Sequence, residues 1–175
     1  MLSCKDQDVL AMLFGSPPSS SSSSAPSVVF ERTESEIASL ELEKVAIAKA
    51  ESGLLDEAEK DLSVAIDLHG SASAFNNRAQ VRQFLKKEEA MSDLDTAISK
   101  AKTRGDQVTL RQALCQRGML LRVKLRDEEA RRDFEEAAAL GSSLAKQQAV
   151  LLNPQAQLCA DMVAIMFSEF HKKNN

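Results

Sequence analysis

Two cysteines on predicted helices are of a residue type that can act as a nucleophile. Cys115 lies on a helix of the central region and Cys159 on the last helix. A catalytic thiol needs a base within hydrogen-bond reach, and neither His69 nor His171 has a plausible helical relation to either cysteine. We therefore interpret both thiols as buried structural groups.

Metal and phosphate chemistry are not indicated by any residue pattern. A metal site needs two or more ligands at short, regular spacing, and no such spacing occurs. The six glycines never cluster into a phosphate-binding loop. Adjacent carboxylates occur only where helices begin, a position that the helix dipole explains. The sequence thus predicts no catalytic site, no metal and no cofactor.

Basic residues are concentrated in the last third of the chain. One interpretation is a patch for an acidic partner. The other, which we favour, is a solvated face whose cations pair with neighbouring acids such as Asp127, Glu128 and Glu135. The basic residues are Arg111, Arg117, Arg122, Lys124, Arg126, Arg131 and Arg132.

Composition and charge narrow the class of partner and the compartment. The net charge of −4 argues against a nucleic-acid partner. No apolar run approaches the roughly 18 residues that span a bilayer, and Asp6 and Asp8 beside Lys5 do not match a signal peptide. Three scattered cysteines offer no disulfide framework, which favours a reducing compartment. We expect a cytoplasmic protein, with the nucleus as a further compartment.

Small and large apolar residues recur three times in a pattern typical of helical hairpins. Each repeat has an alanine, a large apolar residue four positions later and a second alanine three positions after that. A further small residue stands 11 or 12 positions before each leading alanine. We expect the small residues to lie where antiparallel helices approach closely, and each large residue to fill the gap to the next hairpin. The residues predicted to pack the repeats are Ala46, Ala58, Leu62, Ala65, Ala79, Ala90, Leu94, Ala97, Gly118, Ala130, Phe134 and Ala137.

The repeats differ in length. The leading alanines, Ala58, Ala90 and Ala130, are 32 and then 40 residues apart. The second interval is longer than a regular repeat by about six residues, which lie between residues 102 and 107, where Gly105 predicts a break. These residues either extend the first helix of the third repeat or form a bulging loop. Acidic residues are predicted to open each second helix.

A serine-rich segment divides the chain near its start. Residues 16–32 are predicted to be a disordered Ser/Pro linker between a short amphipathic head, residues 1–15, and the repeats, residues 33–141. The head can form two helical turns with its apolar side chains on one side. Because so short a helix is marginal in water, the head either packs back on the domain, which we favour, or serves as a docking peptide. Its apolar side chains are Val9, Leu10, Leu13 and Phe14.

Residues 142–175 are predicted to form capping helices. Gly141 ends the last hairpin, Ser142 or Ser143 can cap a helix to about residue 152, and Asn153-Pro154 restarts the chain. A terminal repeat leaves one apolar side bare, so a short stack needs such a lid. The final helix offers an apolar face for this purpose, formed by Leu158, Met162, Ile165, Met166 and Phe170.

Three strings resemble the tetratricopeptide repeat protein 36 family. They are DQDVLAMLF in the head, ASAFNNRAQVR at the second repeat, and ARRDFEEAAALGSSLAKQQAVLLNPQAQLC near the end. The LLNP corner after ARRDF is the more specific signal, and the resemblance covers nearly all of the chain except the serine run and the last few residues. It implies an all-α, tetratricopeptide-type solenoid of three hairpins plus C-terminal capping helices. It also implies a non-enzymatic protein, associated with a heat-shock chaperone and with a dioxygenase of tyrosine breakdown.

Many chaperone-binding repeat proteins hold the acidic end of a chaperone tail with a clamp of lysine, arginine and asparagine side chains. The equivalent positions here are Glu43 and Ile47 in repeat one, Asn77 in repeat two, and Gln112 and Gln116 in repeat three. One of the five, Asn77, keeps the clamp residue, and Glu43 has the opposite charge. The sequence therefore predicts no conventional carboxylate clamp.

The first helices of the hairpins are expected to line a concave groove for a protein segment. Amide side chains can pair with either donors or acceptors of an extended peptide, and a methionine offers an adaptable apolar contact. We predict a protein-binding adaptor or co-chaperone that holds a chaperone or client segment. The alternative is a stabilising partner that binds a folded metabolic enzyme, the tyrosine-catabolism dioxygenase by resemblance, through its outer surface. The groove candidates are Asn77, Gln80, Gln112, Gln116, Met119 and Arg122.

Overall fold

The computed structural model describes residues 33–173, and every regular element in this range is an α-helix. The predicted head and linker, residues 1–32, lie outside the described residues. Helices α1 and α2, α3 and α4, and α5 and α6 are the predicted hairpin pairs. The helices are α1 (Glu34–Glu51), α2 (Leu55–His69), α3 (Ala72–Phe84), α4 (Ala90–Arg104), α5 (Gln107–Val123), α6 (Asp127–Ala139), α7 (Ser143–Leu151) and α8 (Pro154–Lys173).

The additional residues of the third repeat lie in helix. Only Gly105 and Asp106 separate α4 from α5, and α5 has 17 residues against 13 in α3. The Asp106 side chain caps α5 by accepting from the Thr109 amide at 3.0 Å. The first helix of the repeat is therefore extended, and the alternative of a bulging loop is wrong.

The chain forms two compact units, residues 1–97 and 98–175, which are described separately. In the first unit, α2 packs against both α1 and α3. Small residues on α1 allow close approach, and the Ser39 hydroxyl donates to the Ala65 carbonyl of α2 at 2.9 Å in a buried contact. One buried cluster in the core of this unit consists of Ala46, Ala50, Ala58, Leu62 and Val81.

In the second unit, α6 lies between α5 and α7 and contacts both. Phe134 of α6 is fully buried, and its ring lies against the backbone of Gly118 on α5. A Cβ atom on residue 118 would be 2.8 Å from the ring Cε1. Gly118 thus sets how closely the two helices approach. All of the residues predicted to pack the repeats are buried in the structure.

The three hairpins turn by the same backbone geometry. The residue after each C-cap adopts a left-handed conformation: Gly53 at φ 83°, Lys86 at φ 56° and Leu125 at φ 58°. In each hairpin the next amide donates to the carbonyl five residues earlier at 2.9 Å, which closes the end of the first helix. Only the first turn has a glycine, the residue that adopts this conformation most readily.

An arginine–aspartate pair joins the two helices of the second and third hairpins. Arg78 donates from Nε and Nη2 to both carboxylate oxygens of Asp93, at 2.9 and 2.7 Å. Arg117 makes the same two-bond contact with Asp133, at 2.8 and 2.7 Å. Each arginine directly precedes the small residue of its repeat and each aspartate directly precedes the large one. In the first hairpin the aspartate at this position, Asp61, pairs with Lys49 instead, at 2.7 Å.

A second charged contact joins α2 to α3 and the turn that follows it. Glu59 accepts from Arg82 Nε at 2.9 Å and from the Lys87 ammonium. Burial raises the pKa of the Glu59 carboxyl, but the hydrogen bonds and charges of Lys87 and Arg82 outweigh burial and hold it below its ordinary value. A group with a lowered pKa stabilises the fold above its unfolded pKa, and this stabilisation is lost as the pH falls through the folded pKa.

We therefore expect Glu59→Gln to lower the free energy of unfolding at neutral pH by an amount that shrinks in acid. The difference between parent and variant should be constant down to about pH 4.3, the ordinary value for glutamate, and should decrease below it. Urea unfolding at a series of pH values measures this difference. Glu51→Gln removes an exposed carboxylate from the end of α1 and serves as the control. A difference for Glu59→Gln that does not vary with pH would contradict the assignment.

The last helix begins where the sequence predicts. The Asn153 side chain accepts from the Gln155 amide at 3.0 Å, and Pro154 takes the first helical position. Ser142 caps α7, whose Ala145 is fully buried. The lid prediction requires the apolar side chains of α8 to be covered. In contrast, side chains such as Met162 and Phe170 are more than half exposed. No single helix among the described residues is long and apolar enough to cross a membrane.

Candidate functional site

Glu43 occupies the position of the first clamp lysine and is buried in the first unit. Its carboxylate accepts from the Ser71 and Ser73 hydroxyls, each at 2.7 Å, and from Asn77 Nδ2 at 3.4 Å. Only 4% of the residue is exposed. The negative group is therefore built into the packing of α1 against the start of α3, and Asn77 directs its amide to it. A buried carboxylate thus stands here in place of the clamp cation.

Ser71 and Ser73 are residues that the sequence analysis missed. Ser71 is also the N-cap of α3, where its hydroxyl accepts from the Ala74 amide at 3.0 Å. The signal that could have identified them is the pair of serines two residues apart, with Ser71 directly before ASAFNN and Ser73 as its second residue, one hairpin after Glu43.

Two of the predicted groove glutamines lie inside the fold. Gln80 on α3 and Gln116 on α5 are each 3% exposed. A partner segment could not reach either amide without rearrangement. We therefore exclude them from the surface available for contact, although each stays on the helix that was predicted to carry it.

The remaining candidates on α5 divide between two sides of the helix. Gln112 and Met119 are half-buried and share one face, because seven residues make nearly two turns. Gly118 lies about 100° around the helix from Met119 and packs against Phe134. Arg122, the predicted groove cation, donates from Nη1 to the Gln148 side chain of α7. Gln112 and Met119 thus remain as the half-exposed part of the predicted α5 face, on either side of the buried Gln116.

Three of the seven basic residues predicted for the third repeat, Arg117, Arg126 and Arg131, pair with acids of the same unit. Arg126 pairs with Glu129 through two hydrogen bonds, at 2.7 and 2.6 Å, and Arg131 with Glu135 at 2.5 Å. For Arg126 and Arg131 these pairs agree with the favoured interpretation of a solvated, paired face.

The Cys115 thiol is buried and lies 3.3 Å from the Ser142 hydroxyl. Burial raises its pKa, an effect that the Ser142 hydrogen bond and the charge of Arg111 only partly oppose. A thiol that stays protonated is a poor nucleophile, and the predicted burial of Cys115 is confirmed. Cys159 is exposed, so the prediction that it is buried is wrong. Within residues 33–173, no three histidine, cysteine or acidic side chains come together as a metal site would require.

Comparison with known proteins identifies the family. No family model matches the sequence. Tetratricopeptide repeat protein 36 of Danio rerio is 48% identical over 131 residues, which make up 74% of this chain and 69% of the relative. The Homo sapiens protein is 43% identical over 140 residues, 75% of this chain and 69% of the relative. A Drosophila pseudoobscura pseudoobscura homolog is 38% identical over 179 residues, 96% and 95% of the two chains. This chain belongs to the tetratricopeptide repeat protein 36 family.

Solved structures support the same fold. The first TPR of Spaghetti (RPAP3), bound to the HSP90 peptide SRMEEVD, superimposes with a TM-score of 0.60 at 22% identity, covering 71% of this chain and 95% of that one. The second TPR domain of human RPAP3, in complex with the HSP70 peptide SGPTIEEVD, gives 0.58 at 21%, covering 67% and 97%. At this identity the likeness concerns the fold alone. The predicted family and the predicted all-α, tetratricopeptide-type fold are confirmed, and both are typical of protein-interaction modules.

Proposed function

We propose that this chain is a non-enzymatic adaptor that binds an extended segment of a chaperone or of a client protein on the α5 face formed by Gln112 and Met119. The observation that carries the proposal is that Gln112 and Met119 stay half-exposed, while Gly118, about 100° around α5 from Met119, packs against Phe134 of α6. An amide and a thioether side by side suit a peptide backbone with an adjacent apolar side chain.

The first unit contributes a restriction on the partner. Glu43 stands where a conventional clamp has a cation, and its carboxylate is fixed by Ser71 and Ser73. A segment that ends in several acids would gain no cation here and would approach a fixed negative charge. The proposed partner segment is therefore internal or neutral, in contrast to the acidic peptides that the RPAP3 domains bind.

The alternative partner is a folded metabolic enzyme bound through the outer surface, by resemblance the dioxygenase of tyrosine breakdown. The paired arginines give no particular support to an outer cationic contact. We also propose a cytoplasmic location, which the free thiols of Cys115 and Cys159 suit.

Site-directed photocrosslinking distinguishes the two surfaces. A benzophenone amino acid is introduced at Gln112 in one version of the chain and at Arg132, an exposed position on α6, in the matched control. We expect a specific crosslink to a protein partner from position 112 only, and a loss of partner affinity of about tenfold for Met119→Ala. A crosslink from position 132 alone would overturn the proposal and favour outer-surface binding.

The restriction on acidic ends is tested separately with the peptides SRMEEVD and SGPTIEEVD. We expect no saturable binding to this chain in fluorescence anisotropy, with an RPAP3 domain as the positive control. Binding of either peptide that weakens when its terminal carboxylate is amidated would show that the chain has a carboxylate clamp after all.

A further inference from the structure

The last helix exposes an unusual amount of apolar surface. Seven large apolar side chains of α8 are between 50% and 67% exposed, and α8 makes only slight contact with α7. At roughly 110 Å² each, they expose roughly 800 Å², whereas the largest apolar patch of a typical monomer is roughly 300–600 Å². A surface of this size indicates a binding face. The side chains are Leu158, Met162, Val163, Ile165, Met166, Phe167 and Phe170.

One stripe of this surface has the spacing of a helix–helix seam. Its residues recur at intervals of four, three and four, which is the alternation of the a and d positions in a coiled coil. They therefore fall on one side of α8 and follow its length. The residues of the stripe are Cys159, Val163, Met166 and Phe170.

Part of the stripe is concave. Val163, Met166, Phe167 and Phe170 line a shallow pocket on α8. Their relative positions, i, i+3, i+4 and i+7, are those of four residues that surround one side chain of a facing helix in knobs-into-holes packing. The pocket is therefore shaped to receive an apolar side chain from another helix.

We propose that a second copy of this chain binds on the stripe, with the two α8 helices antiparallel about a two-fold axis between residues 164 and 165. This register places Cys159 of one copy opposite Phe170 of the other, and Val163 opposite Met166. Each layer thus pairs a smaller side chain with a larger one, and Val163 of each copy enters the pocket of the other. The stripe is complementary to itself, as a two-fold interface requires.

Charge favours the antiparallel direction. Helix α8 ends with His171 and Lys172, and a parallel pair would bring these basic ends of the two copies together. In the antiparallel register the two ends are roughly 20 Å apart along the helices. This separation exceeds the screening length of about 8 Å at physiological ionic strength. The helix dipoles also oppose each other favourably in this orientation.

The area of the contact is sufficient for a specific dimer. The large side chains of the stripe, with Met162 and Phe167 beside them, expose roughly 600 Å² per copy. Their complete burial would remove roughly 1,200 Å² from water, the lower end of the range for specific interfaces. Leu158 and Ile165 lie at the edge of this contact. We therefore expect a reversible dimer with a dissociation constant on the order of 10 µM.

The charges of α8 favour a protein partner over a membrane surface. A helix that lies in a membrane interface is typically rich in lysine and arginine on its polar face. Helix α8 carries Asp161 and Glu169 against Lys172 and Lys173, which gives it no excess of basic residues. Attraction to anionic lipid would therefore add little to binding.

Sedimentation equilibrium of the full chain with Cys4→Ser tests the proposal. We expect the mass to rise from that of one chain to that of two as the concentration passes the dissociation constant. Met166→Asp should raise this constant at least about tenfold, because each dimer would bury two unpaired carboxylates. Ser168→Asp introduces the same charge two residues away, off the stripe, and is the matched control. The mass of one chain at every concentration, or equal effects of the two substitutions, would overturn the proposal.

Disulfide trapping tests the register. In the Cys4→Ser chain, Phe170→Cys introduces a thiol opposite Cys159 of the second copy. The two thiols of one chain are roughly 16 Å apart along the helix, too far for a disulfide within the chain. In a glutathione redox buffer we expect a covalent dimer in which Cys159 is joined to the introduced thiol, as assigned by mass spectrometry. Ser168→Cys is the matched control and should link the copies much more slowly.

Two other results would contradict the proposal. A disulfide between the Cys159 thiols of two copies that forms faster than the expected linkage would indicate parallel helices. The second result is a chain that keeps the mass of one copy but sediments with vesicles of phosphatidylcholine and phosphatidylserine. Loss of this vesicle binding in Met166→Asp would show that α8 binds a lipid surface instead of a second copy.

Discussion

Phe134→Ala should lower the free energy of unfolding by about 3–5 kcal/mol. The ring is fully buried between α5 and α6, and it lies directly against the Gly118 backbone. Truncation to alanine removes the apolar contacts and leaves a cavity that rigid helices on either side cannot fill. Urea unfolding followed by far-UV circular dichroism measures the loss. Val123→Ala, at an exposed position on α5, is the control and should change stability by no more than about 0.5 kcal/mol.

The same contact makes a second measurement informative. Alanine at residue 118 favours helix by about 1 kcal/mol over glycine, but its methyl group would overlap the Phe134 ring, and overpacking costs about 1–3 kcal/mol. Gly118→Ala should therefore destabilise the parent, yet be neutral or stabilising when Phe134→Ala has opened the space. Additive effects of the two substitutions would show that ring and glycine do not pack together.

The hairpins were predictable from sequence because packing between helices depends on side-chain size. The sequence shows a repeated pattern despite differences in loop length: alanine or glycine where helices approach closely, and Leu62, Leu94 or Phe134 between them. The turns were harder to read. Lys86 and Leu125 adopt the left-handed conformation that glycine marks at residue 53. The backbone hydrogen bonds that close each helix hold these residues there despite their side chains, so residue type alone does not reveal the turn.

The candidate site was less predictable because its residues act through distant partners. Sequence showed that Glu43 has the wrong charge for a clamp, but not that two serines some thirty residues later fix it. It also placed Gln80 and Gln116 on the correct helices without revealing that both are buried. The helix that carries a residue follows from the local sequence pattern. The exposure of that residue depends on how neighbouring helices are shifted along one another, and a local pattern does not contain this information.

Asp93→Asn should destabilise the protein by about 3 kcal/mol, the range expected when one partner of a buried ion pair is removed. Asp93 is only 5% exposed at its side chain, and it accepts from Arg78 and from Arg82 Nη1 at 2.8 Å. Asparagine keeps the size of the side chain but leaves two largely buried guanidinium groups facing a neutral amide. The free energy of unfolding in urea measures the loss, and Asp67→Asn, which removes an exposed carboxylate from α2, is the control.

The repeated geometry of the third hairpin provides an internal comparison for this prediction. Asp133 faces one arginine, Arg117, whose side chain is 25% exposed, against 15% and 17% for the two around Asp93. Water can solvate Arg117 more fully when its partner is lost, so Asp133→Asn should cost less than Asp93→Asn. A cost for Asp93→Asn no larger than that of Asp67→Asn would mean that these pairs orient the hairpin helices without stabilising them. The reverse order of the two aspartates would instead show that burial does not set their contribution.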